Sequence, residues 1–389
     1  RKDIFLKDDF NIVLVNDTTE ALQKLGKYIR SKLTLPLVGV TGSVGKTTTR
    51  EMVALALSDL KVFKTPNNFN SQVGVPITLS RINDEEIGVI ELGMSQFGEM
   101  ERIAKIVNCD CALVTNIGTA HIENLHTREN IRAEKFHIMD GMKEGSVVFL
   151  NADNDLLFDP PKEKGIVYKY FSAKGNTSCD YYATDIVFNN AMPEFTAHIG
   201  GKKVRVHLNV FGEHQISNAL VAIAVADHYN LSVESAAKHL EEFRGFSHRQ
   251  ELIKLKDFTI IDDTYNASPD SMKASISILK DFDAERKIAI LADMKELGTD
   301  EKILHKEIGD FINENVKLDA VFTVGELAKE IIKDINKDIY TKSFEDNESL
   351  EKFMSGYLKA GDVCLLKGSN SMRLFDVVDK IKNYEKFIR

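Results

Sequence analysis

Two hydrophobic rhythms divide the chain. From residue 35 to about 150, short β-branched runs ("LPLVGV", "EEIGVIEL", "DCALVTN", "GSVVFLN") alternate with stretches of helical spacing. That alternation predicts a parallel sheet with helices on its faces. In "TTTREMVALALSDL", residues Met52, Val53, Leu55, Ala56 and Leu60 fall near one face of a helix that begins at a glycine-rich turn. Residues 151 to about 212 follow another rule. "GIVYKYFSA", "YYATDIVFNN", "EFTAHIG" and "KKVRVHLNVFG" are alternating segments broken by Gly and Asn, which predicts antiparallel hairpins. Helical spacing returns in "EHQISNALVAIAVADHYN" and "SVESAAKHLEEF". A second α/β series then carries the strands "FTIIDDTY", "RKIAILADM", "DAVFTVG" and "GDVCLLKG". The boundary falls near Phe246, where "RGFSHRQE" supplies Gly and polar residues after a long helix. Residues 1–34 offer one strand, "NIVLVND", and one helix, too little for a core of their own.

Composition narrows the partners more than the fold. A chain of 389 residues with 43% hydrophobic and 28% charged residues is an ordinary globular protein of two or three domains. Its net charge of −9 leaves no basic field for a nucleic-acid backbone, so no nucleic-acid partner is expected. No apolar stretch reaches the ~18 residues of a membrane span, and no membrane insertion is expected. Cys109, Cys111, Cys179 and Cys364 form neither a CxxC pair nor a disulfide framework, which suits a reducing cytoplasm. Cys109 and Cys111 alternate within an apolar strand and read as small core residues.

The chemistry starts at "TGSVGKTTTRE", directly after the run "LPLVGV". A strand, a glycine turn and a helix aim backbone N–H groups and the positive end of the helix dipole at one point, where an anion fits. Gly42 and Gly45 allow close approach, Ser43, Val44 and Thr48 complete the loop, Lys46 suits β and γ phosphates, and the Thr47 hydroxyl suits Mg²⁺. The strict phosphate-loop pattern fails only at its first position, Val40, and the strand and helix around it meet the motif's structural demand. Glu91 and His121 end two further strands, whose carboxyl ends share an edge with the loop in a parallel sheet. Beside a magnesium nucleotide they become candidate metal ligands. The fold expectation is therefore α/β: a central P-loop parallel-sheet domain (35–246) with a small antiparallel β insertion, then a Rossmann-like α/β C-terminal domain (247–389).

The strings "TGSVGKT", "NNFNSQVGVPITL", "ELGMSQFGE", "VTNIGTAHIE", "GEHQISNALVAIA", "IDDTYNASPDSM", "LADMKELG" and "LLKGSNSM" occur in this order. Together they resemble the Mur ligase family, over about residues 10 to 375. The resemblance implies a two-step amide synthesis in which ATP phosphorylates a peptide carboxylate and an amine attacks the acyl phosphate. Within the family it points to the dipeptide-adding branch, whose substrates are a UDP-N-acetylmuramoyl-tripeptide and D-alanyl-D-alanine. It implies a cytoplasmic, monomeric enzyme of peptidoglycan precursor synthesis, and makes residues 1–34 the tail of a largely missing N-terminal substrate domain.

Position by position, the resemblance assigns Lys46 to the terminal phosphates and Thr47 to one magnesium. Glu91 and His121 match ligands of a second ion. Lys135 stands where relatives carry a lysine that captures CO₂ as a carbamate, turning a cation into an anion that helps hold Mg²⁺. Asn218 matches an adenine reader, Arg249 an arginine that forks onto phosphate oxygens, and Asp263, Tyr265 and Asn266 a loop that closes on the nucleotide. Asn67, Asn68 and Asn70 resemble residues that bind the nucleotide-peptide substrate, and Lys367 and Ser369 a loop near the incoming dipeptide. Ser268 with Pro269 also reads as a helix N-cap and first turn. Two other classes stay open on the residues: a folylpolyglutamate-type or amino-acid-adding ligase, and a P-loop NTPase or nucleotide-binding module without ligation. The absent D-N-P-R string argues against the diamino-acid-adding branch, and the "DDTYN" loop against a simple switch.

Overall fold

The computed structural model describes residues 13–162 and 165–383. Among them, strands of the first unit are β1 (Leu37–Thr41), β2 (Val62–Lys64), β3 (Ile87–Glu91), β4 (Cys111–Val114), β5 (Val147–Asn151), β6 (Val167–Ser172), β7 (Tyr181–Asn189), β8 (Met192–Ile199) and β9 (Lys202–His207). They form one sheet in the order β2-β3-β1-β4-β5-β6-β7-β8-β9. Every pair up to β6–β7 is parallel; β7–β8 and β8–β9 are antiparallel. The antiparallel segment is thus the far edge of the same sheet. "GIVYKYFSA" departs from expectation, because β6 lies parallel to both its neighbours. Its side chains pack on both faces of the sheet, Phe171 on one and Tyr168 and Tyr170 on the other, as a parallel strand covered on both sides does.

Helices of this unit are α1 (Thr18–Lys32), α2 (Lys46–Ala56), α3 (Gly74–Leu79), α4 (Glu99–Val107), α5 (Ile122–Leu125), α6 (Arg128–Phe136), α7 (His214–His228) and α8 (Val233–Leu240). β1, β3 and β4 are buried along their whole length, as strands covered on both faces must be. One face packs on α2, α7 and α8, the other on α3, α4 and α6. Each fully buried Leu, Ile or Val there contributes about 1.5–3 kcal/mol, which leaves the loops at the strand ends free to be polar.

α1 belongs physically to this unit. Gly26 presses on Pro76 of α3, where a Cβ would lie 2.8 Å from the proline Cβ. Arg30 donates to the carbonyls of Val107 (2.6 Å) and Asn108 (3.1 Å) and pairs with Asp110 (2.9 Å), satisfying the end of α4. The strand expected at "NIVLVND" is not found: residues 11 and 12 lie outside the described residues, and Val13 and Leu14 are exposed without strand pairing.

The second unit is a sheet in the order β10-β11-β15-β12-β13-β14. Its strands are β10 (Glu251–Lys254), β11 (Thr259–Asp263), β12 (Arg286–Ala292), β13 (Ala320–Val324), β14 (Tyr340–Phe344) and β15 (Asp362–Lys367). All pairs but β10–β11 are parallel. α9 (Pro269–Ile278), α10 (Glu301–Asn315), α11 (Asn347–Tyr357) and α12 (Leu374–Lys382) cover its faces. Ser268 caps α9 in a reciprocal box with Ser271, and Pro269 opens the helix. The edge strands β10 and β14 were not expected, since their half-exposed, lysine-bearing sequences lack an apolar run. No helix among the described residues is long and apolar enough to cross a membrane.

Candidate nucleotide site

β1 lies between β3 and β4, so chain order reverses there and a crevice opens beyond its carboxyl end. The phosphate loop occupies that crevice. At Gly42 a Cβ would lie 1.9 Å from the Thr115 hydroxyl, so only glycine fits. Gly45 takes φ +82° and α2 starts without a side-chain cap, leaving its first-turn N–H groups for a ligand. The loop is braced from β4. The Asn116 side-chain oxygen accepts from the amides of Ser43 (3.1 Å) and Val44 (2.9 Å), and Thr115 Oγ1 donates to the Val44 carbonyl (2.7 Å). Ser43 Oγ accepts from Gly118 N at 2.9 Å. Ser43 and Val44 therefore spend their amides on holding the loop's shape.

Two lysines meet on one oxygen. Lys46 Nζ donates to the Gly42 carbonyl at 2.8 Å, and Lys135 Nζ, from α6, donates to the same carbonyl at 3.0 Å. Burial lowers the Lys46 pKa; Glu91 opposes this and Arg249 adds to it. Lys135 is 1% exposed, and burial followed by the charge of Lys46 holds it well below the ordinary lysine range. Glu134 does not pair with it; its carboxylate accepts the amides of Gly98 (3.0 Å) and Met100 (2.9 Å) at the start of α4. Lys46 and Arg249 thus concentrate positive charge around one loop, a setting that suits a polyphosphate.

Oxygen ligands stand beside it. Glu91, at the end of β3, accepts from Thr47 Oγ1 (3.3 Å), Asn70 Nδ2 (2.7 Å) and Arg50 Nη1 (3.1 Å). A hydroxyl and a carboxylate this close form the hard-oxygen pair that Mg²⁺ prefers, so these residues fit the ion. Arg50 escaped the sequence reading. Only 3% exposed, it also binds Glu51 (2.6 Å) and the Asn67 carbonyl (2.7 Å), tying α2 to Glu91 and to the asparagine loop. Its signal lay in the sequence, as a charged residue on the apolar face four positions after Lys46. Asn70 serves Glu91, whereas Asn67, at φ +48°, and Asn68 are exposed.

Several other candidates turn inward. Asn218 is 8% exposed; its oxygen accepts from Thr49 Oγ1 (2.9 Å) and its amide donates to Gln215 (3.0 Å), which in turn donates to Gln250 (3.2 Å). It braces the phosphate loop from behind. Asp263 accepts from Lys367 Nζ (2.6 Å) and from Ser275, and Lys367 also donates to the Asn266 carbonyl (3.0 Å). Ser369 is equally internal, its hydroxyl accepting from Lys295 N at 2.9 Å. Lys367 is therefore a buried support of the loop 263–266 and Ser369 of the segment 293–295, and neither faces an open surface. Tyr265 and exposed Asn266 form the tip of the loop 263–266. The Arg249 guanidinium stacks 3.8 Å from the Tyr265 ring centroid, which holds it toward the lysines.

His121, at φ +64°, is bonded through Nδ1 to Glu296 of the second unit at 2.8 Å. Burial and then Lys46 lower its pKa, with Glu296 opposing, which favours a neutral imidazole. Nearby, Asp270 accepts from Thr119 N at 3.1 Å. Among the described residues, the group of three His, Cys, Asp or Glu side chains whose ligand atoms lie within 4.8 Å of one another is His248, Glu251 and Asp262, at the junction of the units. Its members already bond one another, His248 Nδ1 to Asp262 at 2.8 Å and His248 N to Glu251 at 3.2 Å.

Known proteins share this arrangement. Residues 40–226 match the Mur ligase middle domain and residues 248–370 the Mur ligase, glutamate ligase domain. The UDP-N-acetylmuramoyl-tripeptide--D-alanyl-D-alanine ligase of Bacillus subtilis is 36% identical over 375 residues, which cover 94% of this chain and 80% of that protein. A MurF crystal structure from Acinetobacter baumannii superposes with a TM-score of 0.89 at 29% identity, covering 97% of this chain and 84% of that one. The MurF ligase of Thermotoga maritima in complex with ADP gives 0.87 at 29% identity, covering 99% and 88%. With both of its domains matched and relatives similar along nearly the whole chain, this protein belongs to the Mur ligase family.

Proposed function

We propose that this protein joins D-alanyl-D-alanine to a UDP-N-acetylmuramoyl-tripeptide in the cytoplasm, as a monomer, in peptidoglycan precursor synthesis. As a Mur ligase it is an ATP-dependent amide ligase. The γ-phosphoryl group of ATP passes to the tripeptide carboxylate, giving ADP and an acyl phosphate. The dipeptide amine then attacks the acyl carbon and phosphate leaves. A carboxylate is a poor electrophile, and phosphorylation gives it a good leaving group.

In this reading Gly45, Lys46 and the first turn of α2 grip the phosphates, with Arg249 joining from the second unit. Thr47 would hold one Mg²⁺, and Glu91, His121 and a carbamate on Lys135 a second; such ions would offset charge on the phosphoryl oxygens. The carbamate is supported by the shared Gly42 carbonyl. Two ammonium groups on one oxygen repel, and burial lowers the Lys135 pKa, both of which favour the neutral amine that would add CO₂ and release one proton. Asn67 and Asn68 are left to meet the nucleotide-peptide substrate.

One observation carries the ligase reading over a simple NTPase. The second unit delivers the stacked Arg249–Tyr265 pair to the Lys46 loop, so the phosphates are enclosed from two sides, as transfer to an acceptor away from water requires. ADP release from ATP is expected to require both the UDP-linked tripeptide and D-alanyl-D-alanine. Equal phosphate release with either omitted would return the protein to the NTPase class.

A further inference from the structure

We infer that Glu296 is a positioning residue for the metal ligand His121, so that closure of the second unit completes the second metal site. The inference rests on the reading of His121 as a ligand given above. Three contacts carry it, all made by the second unit on the loop 118–123. Glu296 Oε2 takes His121 Nδ1 at 2.8 Å, the Glu296 carbonyl takes Glu123 N at 3.4 Å, and Asp270 takes Thr119 N at 3.1 Å. The facing residues are built for close approach. At Gly118 a Cβ would lie 2.1 Å from the Asp270 carboxylate, and at Gly298 one would lie 3.3 Å from Glu123 Cα.

Backbone strain marks the same pair. His121 (φ +64°) and Glu296 (φ +63°) both hold left-handed conformations that non-glycine residues avoid, and such outliers persist where the surroundings enforce them. An ordinary surface ion pair has no need of strained backbone on both sides. The hydrogen bond has a chemical consequence: an imidazole that donates Nδ1–H to a carboxylate presents a bare Nε2, the lone pair a metal takes. In an open arrangement Glu296 would be withdrawn, and His121 would be free to rotate and to change tautomer. ATP could then bind at the Lys46 loop before the second ion is secured, and phosphoryl transfer would wait for closure.

The test counts Mn²⁺ bound to the full chain with a non-hydrolysable ATP analogue, by electron paramagnetic resonance. Glu296→Ala is expected to weaken the second Mn²⁺ about tenfold or more while the first stays unchanged. Glu296→Gln, whose amide oxygen still accepts from Nδ1–H, is expected to recover most of that loss. Retention of both ions at wild-type affinity in Glu296→Ala would overturn the inference. His121→Ala separates the two levels of the argument. If it loses the second ion while Glu296→Ala keeps it, His121 is a ligand and the coupling is wrong; if it keeps both ions, the ligand reading itself fails. A single Mn²⁺ in the wild-type protein would overturn both.

Discussion

The two sheets contribute to the site in different ways. On the first, the phosphate loop, Glu91 and Lys135 are largely buried and cross-linked by short hydrogen bonds among α2, β3, β4 and α6. On the second, the groups that reach across are more exposed: Glu296 on His121 and Asp270 on Thr119, with Arg249, stacked on Tyr265 of its own unit, acting on Lys46. The difference assigns them separate tasks. In the proposed reading the first sheet supplies a prebuilt anion site that grips the nucleotide, and the second supplies the groups that complete it for transfer. Damage to the first sheet is expected to cost binding, chemistry or folding, and damage to those groups of the second mainly turnover.

The largest effect is expected at Lys46. Lys46→Ala removes the charge nearest the phosphates and is expected to lower kcat by about 10³-fold, since preorganised cationic stabilisation is worth several kcal/mol. Near-normal ADP release by that variant would show that the first sheet does not hold the reacting phosphates. Arg50 tests the buried side of the contrast. Arg50→Met leaves the buried Glu91 without its ion-pair partner, while Glu51 keeps Lys64, and is expected to destabilise the fold by about 3 kcal/mol, read from urea unfolding. Arg50→Lys keeps the charge and loses the fork, so it is expected to fall between the two.

How far the sequence foretold this contrast depended on whether a role is local. "TGSVGKT" betrays its purpose because glycines, lysine and threonine act where they stand in the chain, and both α/β series declared themselves by their apolar runs. Asn218, Lys367 and Ser369 were legible as site residues only by resemblance, and their polarity did not reveal that they point inward to brace loops. Glu296 and Asp270 were illegible. Their partners lie 175 and 151 positions away, and an exposed carboxylate carries no mark of the surface it will meet. β10 and β14 were missed for a related reason, since edge strands keep one side polar.

The seam between the sheets has its own titration. Burial pushes His214 down to about 4, against the attraction of Asp263 across the junction. A histidine whose folded pKa lies below its unfolded value binds fewer protons when folded, so stability falls as pH drops from 6.5 toward 4. At pH 5 this amounts to about 2 kcal/mol relative to pH 8. His214→Gln is expected to flatten that interval of a Tm-against-pH curve. A curve of unchanged slope would mean that His214 is hydrated, and that the seam is looser than the packing of Gly212 on its ring implies.

The smallest effect is the most diagnostic of closure. Gly118→Ala sets a methyl group where the Asp270 carboxylate rests, 2.1 Å from its oxygen, yet that oxygen is the free end of a side chain and can turn away. The fold is therefore expected to keep its Tm within about 1 °C while kcat falls about tenfold, roughly 1.4 kcal/mol of lost closure. Asp270→Ala gives the control. If the glycine matters because it admits the carboxylate, the double variant with Asp270→Ala, which unlike Asp270→Asn leaves no acceptor for Thr119 N, is expected to be no worse than the poorer single one, because both remove the same contact. Fully additive losses would mean that Gly118 serves the Ser43 side of the loop instead, whose Cβ lies 3.4 Å from the added methyl. The loop 118–123 would then belong to the rigid first sheet alone, and the division of labour between the two sheets would have to be redrawn.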